Sequence, residues 1–437
     1  MAWSGYFMFG GTEIINATRT ETYARNLNVG WFRPVYREAG LPWLLGEPEY
    51  TTPLQDDAPW TDPDNLDTYD FYGVYPLEVT GIEDSTVEAT VTESVVDGGY
   101  IGRARKKSRV AVFSAVLAGG SECAVEAGFR WLRSVLTGGP CFNQTYGLCG
   151  GTELCYLACP PIFTDVEGQG PLECYARVGR SLHEVTVTNG PTVTSKLELV
   201  DGGAAWQVTW TMTAANPAEF GVEKPLVVGF LDPLVDVPYV GGVLPEGGSF
   251  DEDGHVETDP VCPVTVFRPV YDPACALLMA PPDVPTVMPT CFSFPVNYLR
   301  TSFTVPRQEI PLWTTVVPVV ALTTKTVEAR SVRVRFYADV FDTGDPASDP
   351  CNYCGDVVFS YIPPGSTIVL DGADREVYID QPGIGRRRAD ALVSNSAGDP
   401  FEWPEFSCGF GYVVTVDMPQ QQTTRPILDL SLVPRMV

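Results

Sequence analysis

The cysteines are the residues with the most evident capacity for chemistry. The chain has 12 cysteines in 437 residues, and five of them fall between residues 141 and 174. Cys351 and Cys354 form a CxxC motif, but no second CxxC or histidine pair accompanies it, as a structural zinc site would require. A thioredoxin-like role is not favoured, because the motif lies between predicted strands. Disulfides or buried thiols are therefore predicted, with zinc as the alternative. The cysteines concerned are Cys141, Cys149, Cys155, Cys159, Cys174, Cys351 and Cys354.

Groups for acid–base or nucleophilic catalysis are scarce. The sequence contains two histidines, His183 in a predicted strand and His255 in a Gly-rich acidic segment. A Ser–His–Asp or Cys–His system needs one of them beside a nucleophile, and no Gly-x-Ser-x-Gly, Walker-type or His-Glu-x-x-His motif is present. Paired carboxylates for glycoside hydrolysis stay open as an alternative, since 55 acidic residues offer many pairs. We expect a protein that is not an enzyme and that has no catalytic residue, metal or cofactor.

One basic run contrasts with the formal net charge of −27. Nucleic-acid binding needs a basic domain or stacking aromatic residues behind such a run, so nucleic acid is not an expected partner. Two interpretations remain: a solvated strand edge, or a subunit contact with the acidic segment 39–72 of a neighbouring copy. That segment has eight acidic residues and no Lys or Arg, and a solvated loop is its simpler interpretation. The residues of the predicted subunit interface are Arg103, Arg105, Lys106, Lys107 and Arg109.

The composition indicates a folded, β-rich protein. Hydrophobic residues make up 44% and charged residues 19% of the chain, which is typical of globular domains. Its 39 prolines and 41 glycines interrupt the sequence often, which favours many short strands over long helices. No apolar stretch approaches the ~18 residues of a membrane helix, and the N-terminal residues do not resemble a secretory signal. We therefore expect no membrane insertion.

The elements that must position these residues can be predicted from periodicity. Ser121 is a good N-cap, and Val125, Phe129 and Leu132 recur at helical spacing, so one short amphipathic helix is predicted at about residues 121–137. Alternation of apolar and polar residues predicts strands elsewhere. The predicted strands and hairpins are 183–199 with a turn at Asn189–Gly190, 206–212, 332–340, 367–379 with a turn at 371–372, 412–416 and 428–432.

Three segments follow from these patterns. Residues 1–225 and 318–437 are each predicted to form a β-sandwich-type domain. Residues 226–317 are predicted to be a Gly/Pro-rich extended linker or arm, because eleven prolines between 260 and 311 exclude a helix or a central strand there. The expected fold class is thus mainly β, with two β-sandwich-type domains, the short helix on the first, and a Pro-rich segment joining them.

Seven segments of the sequence resemble segments of known proteins: 97–101, 109–119, 129–136, 190–193, 206–217, 361–368 and 400–409. The first part of the chain resembles the N-terminal domain of distal tail proteins of siphophages. The C-terminal part resembles the last domain of minor tail proteins from phages of mycobacteria and related actinobacteria.

The resemblance implies a structural virion protein of a long-tailed phage, assembled in the host cytoplasm. Distal tail proteins form a ring, commonly a hexamer, that joins the tail tube to the tail tip or baseplate. The implied partners are further copies of the chain, the tail tube protein and the hub proteins of the tail tip. The family's outer domain is often galectin-like and sometimes binds sugars. A receptor- or carbohydrate-binding tail-tip module is therefore the alternative, with a host surface glycan as partner and Trp403 as a candidate contact.

Overall fold

The computed structural model describes residues 2–27, 40–84, 86–93, 98–137, 153–161, 170–198, 203–230, 235–238, 297–312, 314–339, 353–396, 398–407, 409–419 and 426–436. The chain divides into two units. Unit 1 comprises Met1–Val222 and Arg435–Val437, and unit 2 comprises Glu223–Pro434. Strands dominate both units, so the prediction of a mainly β chain is confirmed.

Unit 1 contains the four helices of the described residues and the first thirteen strands. The helices are α1 Ala17–Asn26, α2 Leu41–Leu45, α3 Glu122–Leu136 and α4 Pro171–Val178. The strands are β1 Trp3–Phe9, β2 Thr12–Asn16, β3 Phe71–Thr80, β4 Val87–Glu88, β5 Val91–Glu93, β6 Gly99–Ile101, β7 Arg105–Lys106, β8 Arg109–Gly119, β9 Glu153–Leu157, β10 Gly179–His183, β11 Val185–Glu198, β12 Ala204–Ala214 and β13 Glu219–Gly221.

The remaining strands begin in unit 2. They are β14 Lys224–Phe230, β15 Val235–Pro238, β16 Asn297–Val305, β17 Thr315–Thr323, β18 Ala329–Asp339, β19 Tyr353–Ile362, β20 Thr367–Asp371, β21 Glu376–Gln381, β22 Gly385–Arg388, β23 Val393–Ser394, β24 Phe406–Ser407, β25 Gly411–Pro419 and β26 Ile427–Met436.

The core of unit 1 lies between a four-stranded sheet, α3 and a second sheet. The four-stranded sheet has the order β11-β12-β8-β3, and the second sheet runs β2-β1-β9-β10-β13. On β12 the predicted alternation is confirmed, because Trp206, Val208, Trp210 and Met212 are all buried. Trp210 stacks on Phe113 of β8 with 5.0 Å between the ring centroids. Aromatic stacking and apolar burial together stabilise this layer.

Helix α3 forms where the sequence predicts it. The Ser121 side chain accepts a hydrogen bond from the Ala124 N–H and caps the helix. Val125 and Leu132 face the core and are fully buried. Gly128 meets the ring of Phe71, and a Cβ added at this glycine would come within 2.3 Å of a ring carbon. This close approach lets α3 lie directly on the end of β3.

Helix α1 is stabilised by a polar network. Asn16 caps it by accepting from the Arg19 N–H at 2.8 Å. The Arg19 guanidinium forms ion pairs with Glu13 at 2.8 Å and Glu47 at 3.0 Å. The Tyr50 hydroxyl donates to the same Glu47 carboxylate at 2.7 Å. This network ties the segment after α2 to α1 and β2.

Burial changes the protonation of this network. Desolvation raises the pKa of Glu13 to about 6, although the charge of Arg19 and a hydrogen bond from Asn16 act in the opposite direction. The same burial raises the pKa of the Tyr50 hydroxyl, which also lies near the Glu13 carboxylate. The carboxyl group of Glu13 therefore titrates nearer to neutral pH than an exposed glutamate.

One predicted hairpin in unit 1 is wrong. Residues 185–198 form the single strand β11, which pairs with β12 along its length. The register shifts at Val187/Asn189 and Asn189/Thr192 absorb the turn-like residues of Asn189–Gly190 and Pro191. Strand β11 lies at the edge of its sheet, where a residue without a backbone N–H is tolerated.

Unit 2 is built from two sheets around one core. One sheet has the order β15-β16-β25-β18-β19-β23, and the other runs β26-β17-β20-β21-β22 with β14 on β26 and β24 on β17. Phe336 and Val414 of the first sheet and Ile368 and Leu430 of the second belong to the same buried cluster. The predicted hairpin of 367–379 is confirmed as β20 and β21. This arrangement of two sheets agrees with the expected β-sandwich type.

The predicted linker 226–317 requires a correction. Strands β14, β15 and β16 fall within or across it, and β16 lies between β15 and β25 as a central strand. The reason is local, because the nine residues of β16 contain no proline. Pro295 and Pro306 lie outside the strand. Residues 239–296, with most of the prolines, lie outside the described residues.

Candidate assembly interface

A long hairpin extends the β3–β8 pair of unit 1, and we call it the arm (residues 86–93 and 98–108). Strand β4 pairs with β7, and β5 pairs with β6, each as a two-stranded sheet. Between them the Gly102 N–H donates to the Thr90 carbonyl at 2.7 Å. Every residue of the arm is exposed to solvent. The arm therefore has backbone pairing but no core of its own.

Apolar side chains on the arm are unusually exposed. Tyr100 is 76% and Ile101 77% exposed, and Val87 and Val91 are more than half exposed. Val91 lies directly opposite Ile101 in the β5–β6 register, so the two form an apolar pair on one face of the ribbon. An isolated two-stranded hairpin is marginally stable in water. Covering these side chains would stabilise both the arm and the contact that it makes.

The residues of the predicted basic run lie in three environments: exposed to solvent, ion-paired across the arm, and, for Arg109, buried in unit 1. Arg105 and Lys106 are exposed near the base of the arm, and Arg103 is exposed between its two ribbons. Lys107 forms an ion pair with Glu88 across the arm at 2.6 Å. The pKa of Lys106 is lowered by partial desolvation and by the positive charges of Arg435 and Arg109, so positive charge is concentrated here.

The assignment of Arg109 to the interface is wrong. Its side chain is buried, and its guanidinium donates to the carbonyls of Ile82 and, at 2.8 Å, Pro217. It also lies 3.6 Å from the Glu219 carboxylate. Because Arg109 is the first residue of β8, the strand alternation points its side chain toward the core. Sequence spacing grouped it with the arm, but burial separates it.

The acidic segment 39–72 differs from the predicted solvated loop. Leu41, Leu44 and Trp60 are buried, and the Trp60 indole N–H donates to the Phe71 carbonyl at 3.0 Å. Side-chain hydrogen bonds of Thr68 and Asn65 hold residues 61–70 in a compact turn. Its exposed carboxylates are those of Glu49, Asp57, Asp62, Asp64, Asp67 and Asp70. The segment thus presents acidic groups from an anchored backbone.

The cysteines of the described residues are free thiols. Cys155, Cys159, Cys174 and Cys354 form no disulfide with one another. Burial, together with the nearby Glu153, raises the pKa of the Cys155 thiol well above its usual range. The Cys354 thiol donates to the Phe336 carbonyl at 3.1 Å. Cys141, Cys149 and Cys351 lie outside the described residues, so pairing with them stays a prediction.

The predicted strand position of His183 places it beside a hydroxyl group. Ser181 Oγ lies 2.9 Å from His183 Nε2, and Glu153 Oε1 lies 3.9 Å from the same nitrogen. In a serine-nucleophile triad the carboxylate contacts the ring nitrogen opposite the serine. Both groups face Nε2 here, and Ser181 is buried, so the arrangement does not have triad geometry. His255 lies outside the described residues.

A charged cluster in unit 2 was missed by the sequence analysis. Arg300 of β16 donates two hydrogen bonds to Asp417 of β25, at 2.6 and 2.9 Å, and Arg333 of β18 donates a third at 3.2 Å. Arg335 contacts Asp356 of β19 at 3.3 Å. Burial raises the pKa of Asp417, but these arginines lower it below its ordinary value. The cluster joins four strands on the sheet face opposite the core.

Trp403, the candidate sugar contact, packs against unit 2, and no metal cluster is found in the described part of the chain. Trp403 is half-buried and packs with Phe401, at 4.8 Å between ring centroids, against the core of unit 2. Across the described ranges, no group of three or more His, Cys, Asp or Glu side chains is placed to hold a metal ion. No helix in those ranges is long and apolar enough to cross a membrane.

Comparisons with known proteins give distant structural similarities. No protein-family model matches the chain, and no curated protein matches it. One similar structure is the crystal structure of the SPP1 Dit (gp 19.1) protein, described as a paradigm of the hub adsorption apparatus in phages infecting Gram-positive hosts. The similarity has a TM-score of 0.34 and 10% sequence identity, and it covers 83% of this chain and 93% of that chain.

Two structures of the phage p2 baseplate in its activated conformation are also similar. The structure with Sr has a TM-score of 0.35 and 9% identity, and the structure with Ca has a TM-score of 0.32 and 10% identity. Each covers 79% of this chain and 90% of that chain.

Proposed function

We propose that this protein is a structural component of a long-tailed phage particle, located at the distal end of the tail, where copies of the chain form a ring. In this role it would connect the tail tube to the proteins of the tail tip, and it would have no enzymatic activity. The sequence motifs that resemble distal tail and minor tail proteins support the tail location.

The exposed arm is the observation that carries the proposal. All described residues of this hairpin are exposed, and Tyr100 and Ile101 are more than three-quarters exposed. Its apolar side chains are therefore left for a partner to cover. Contact with another subunit would cover them. A protein that works alone in solution gains nothing from such an arm, whereas an assembly protein uses it to hold neighbours in a closed arrangement.

Mass measurement and imaging of the full chain test this function. We expect size-exclusion chromatography with light scattering to give a defined oligomer, and negative-stain microscopy to show closed rings of about the width of a tail. The purified chain should also associate with polymerised tail tube protein. A chain that stays monomeric at high concentration and does not bind tube protein would contradict the proposal.

A further inference from the structure

We infer that the arm docks on a second copy of this chain, and that its basic row (Arg103, Arg105 and Lys106) sets the register by facing the exposed carboxylates of the acidic segment. The inference rests on the proposed function, since it names the partner surface of the same assembly contact. It adds which residues lie on each side of the contact. It also separates the apolar residues that give affinity from the charged residues that set the register.

The apolar face of the arm supplies affinity without selecting a register. Val91 and Ile101 form a cross-strand pair on one face, and Tyr100 projects from the other. Exposed aromatic and branched side chains are typical anchors of protein interfaces when a partner excludes water from them. Because few apolar residues are involved, they leave the position of the partner weakly determined.

The basic row supplies the missing selectivity. Among the residues that the structure describes, Lys107 has a carboxylate partner on the arm, whereas Arg103, Arg105 and Lys106 have none within ion-pair distance. Arg105 and Lys106 lie on the paired strand β7, and Arg103 lies two residues before it. Three like charges held close together without an ion-pair partner of their own suit an acidic partner. The partner should therefore carry an exposed, ordered group of carboxylates.

A second copy of the chain provides such a group. The chain has a net charge of −27, and the acidic segment 39–72 has no Lys or Arg. Asp62, Asp64 and Asp67 are exposed on a turn that Trp60 and Thr68 anchor to the core of unit 1. Each copy then offers one basic and one acidic surface, which is the arrangement that head-to-tail contacts need. A nucleic acid would also suit the basic row, but the acidic remainder of the chain repels it.

A charge-exchange experiment tests the inference in the full chain. The arm variant carries Arg103→Glu, Arg105→Glu and Lys106→Glu, and the acidic variant carries Asp62→Lys, Asp64→Lys and Asp67→Lys. We expect each variant alone to associate at least about tenfold more weakly than the wild type, equivalent to about 1.4 kcal/mol. An equimolar mixture should regain association, because the reversed arm then meets the reversed acidic turn.

The matched control changes three other exposed basic residues by the same total charge. It carries Lys325→Glu, Arg387→Glu and Arg388→Glu, all at exposed positions of unit 2. We expect this control to associate like the wild type. Sedimentation velocity at low and high salt measures association, and the melting temperature of each variant shows that it is folded.

Several outcomes would overturn the inference. The arm variant could assemble as well as the wild type, or the control could weaken assembly equally. The folded mixture could stay dissociated. Nuclease treatment could also dissolve the wild-type oligomer, which would make nucleic acid the partner of the basic row. In the first case rings would still form, so the proposed function would stand while the charge contact would not. If the wild type forms no oligomer under any condition, both fail.

Discussion

At the scale of single residues, burial decides what a charge does. Arg105 and Arg109 belong to the same short basic run, yet Arg105 is exposed and Arg109 is buried among the Ile82 and Pro217 carbonyls and Glu219. A buried guanidinium that satisfies several acceptors is part of the fold. An exposed one is available to a partner. The sequence spacing of the two residues contains no sign of this difference.

Replacing these two arginines should therefore have different effects. Arg109→Met leaves the Ile82 and Pro217 carbonyls without their donor and removes one of the ion-pair partners of Glu219. We expect a loss of about 2–3 kcal/mol in the free energy of unfolding. Arg105→Met should change that free energy by less than about 0.5 kcal/mol, as exposed substitutions usually do. Urea unfolding followed by tryptophan fluorescence measures both. If Arg109→Met lowered the free energy of unfolding by no more than about 0.5 kcal/mol, the buried contacts of Arg109 would contribute little.

The buried Glu13 predicts a pH effect on stability. Its folded pKa of about 6 lies above the ordinary value of 4.5, so the folded state holds the proton more tightly than the unfolded state. This contribution to stability is complete below pH 4.5 and is lost as the pH rises through 6. The expected loss is about 2 kcal/mol.

The Glu13→Gln variant isolates that effect. Its unfolding free energy should lack the wild-type decrease between these pH values, while the effects of the other acidic residues remain in both proteins. The difference between the two proteins, measured by urea unfolding at several pH values, is the quantity to compare. A constant difference across the range would mean that Glu13 stays ionised beside Arg19.

The charged cluster of unit 2 predicts a large loss from one substitution. Asp417→Asn removes the carboxylate that Arg300 and Arg333 share, so the largely buried Arg300 guanidinium loses its ion pair and Arg333 loses one of its contacts. We expect a loss of about 3–5 kcal/mol. Asp380→Asn, at an exposed position of β21, is the matched control and should be nearly neutral. Thermal unfolding of both variants measures the difference.

At the scale of secondary structure, periodicity predicted the elements that bury apolar residues. Helix α3 and strand β12 were predicted because Val125 and Leu132, and Trp206 and Trp210, recur at the spacing of one buried face. Helix α1 was missed because its buried positions include Arg19 and other polar residues, which give no apolar stripe. The cue at Asn16, a good N-cap, was present but has little weight alone.

Helix α3 offers a direct test of how closely it packs. Gly128→Ala should raise the intrinsic helix propensity by up to about 1 kcal/mol. The new methyl group would overlap the Phe71 ring, and overpacking of this kind costs about 1–3 kcal/mol, so we expect a net loss of stability. Cys123→Ala, on the exposed side of the same helix, is the control. A more stable Gly128→Ala protein would show that Phe71 can move away.

At the scale of the whole molecule, the sequence indicated the class of fold but not which surfaces are complete. The basic run and the acidic segment could be recognised from composition alone. The arm is exposed on both faces, and Trp60 anchors the acidic turn. Both features depend on which strands pair and which faces are covered. Those long-range pairings are not encoded in local spacing, and the cluster around Asp417 was missed for the same reason.

Limited proteolysis of the whole chain reports on the arm. In the unassembled protein we expect trypsin to cut early after Arg103, Arg105, Lys106 or Lys107, because these residues are exposed on a hairpin without a core. Cleavage after the buried Arg109 should be slow. In the oligomer the early cuts should be suppressed. Mass spectrometry of the fragments identifies the sites, and unchanged cleavage after assembly would argue that the arm is not covered.

The pairing of β13 has a consequence for biosynthesis. Glu219 and Phe220 form their ladder with Met436 and Arg435, more than 200 positions later in the chain. During translation, that edge of unit 1 has to wait until nearly all of unit 2 has been made. A ribosome-bound intermediate therefore exposes an unpaired strand edge while unit 2 is being made, and shielding by a chaperone would matter most during that interval.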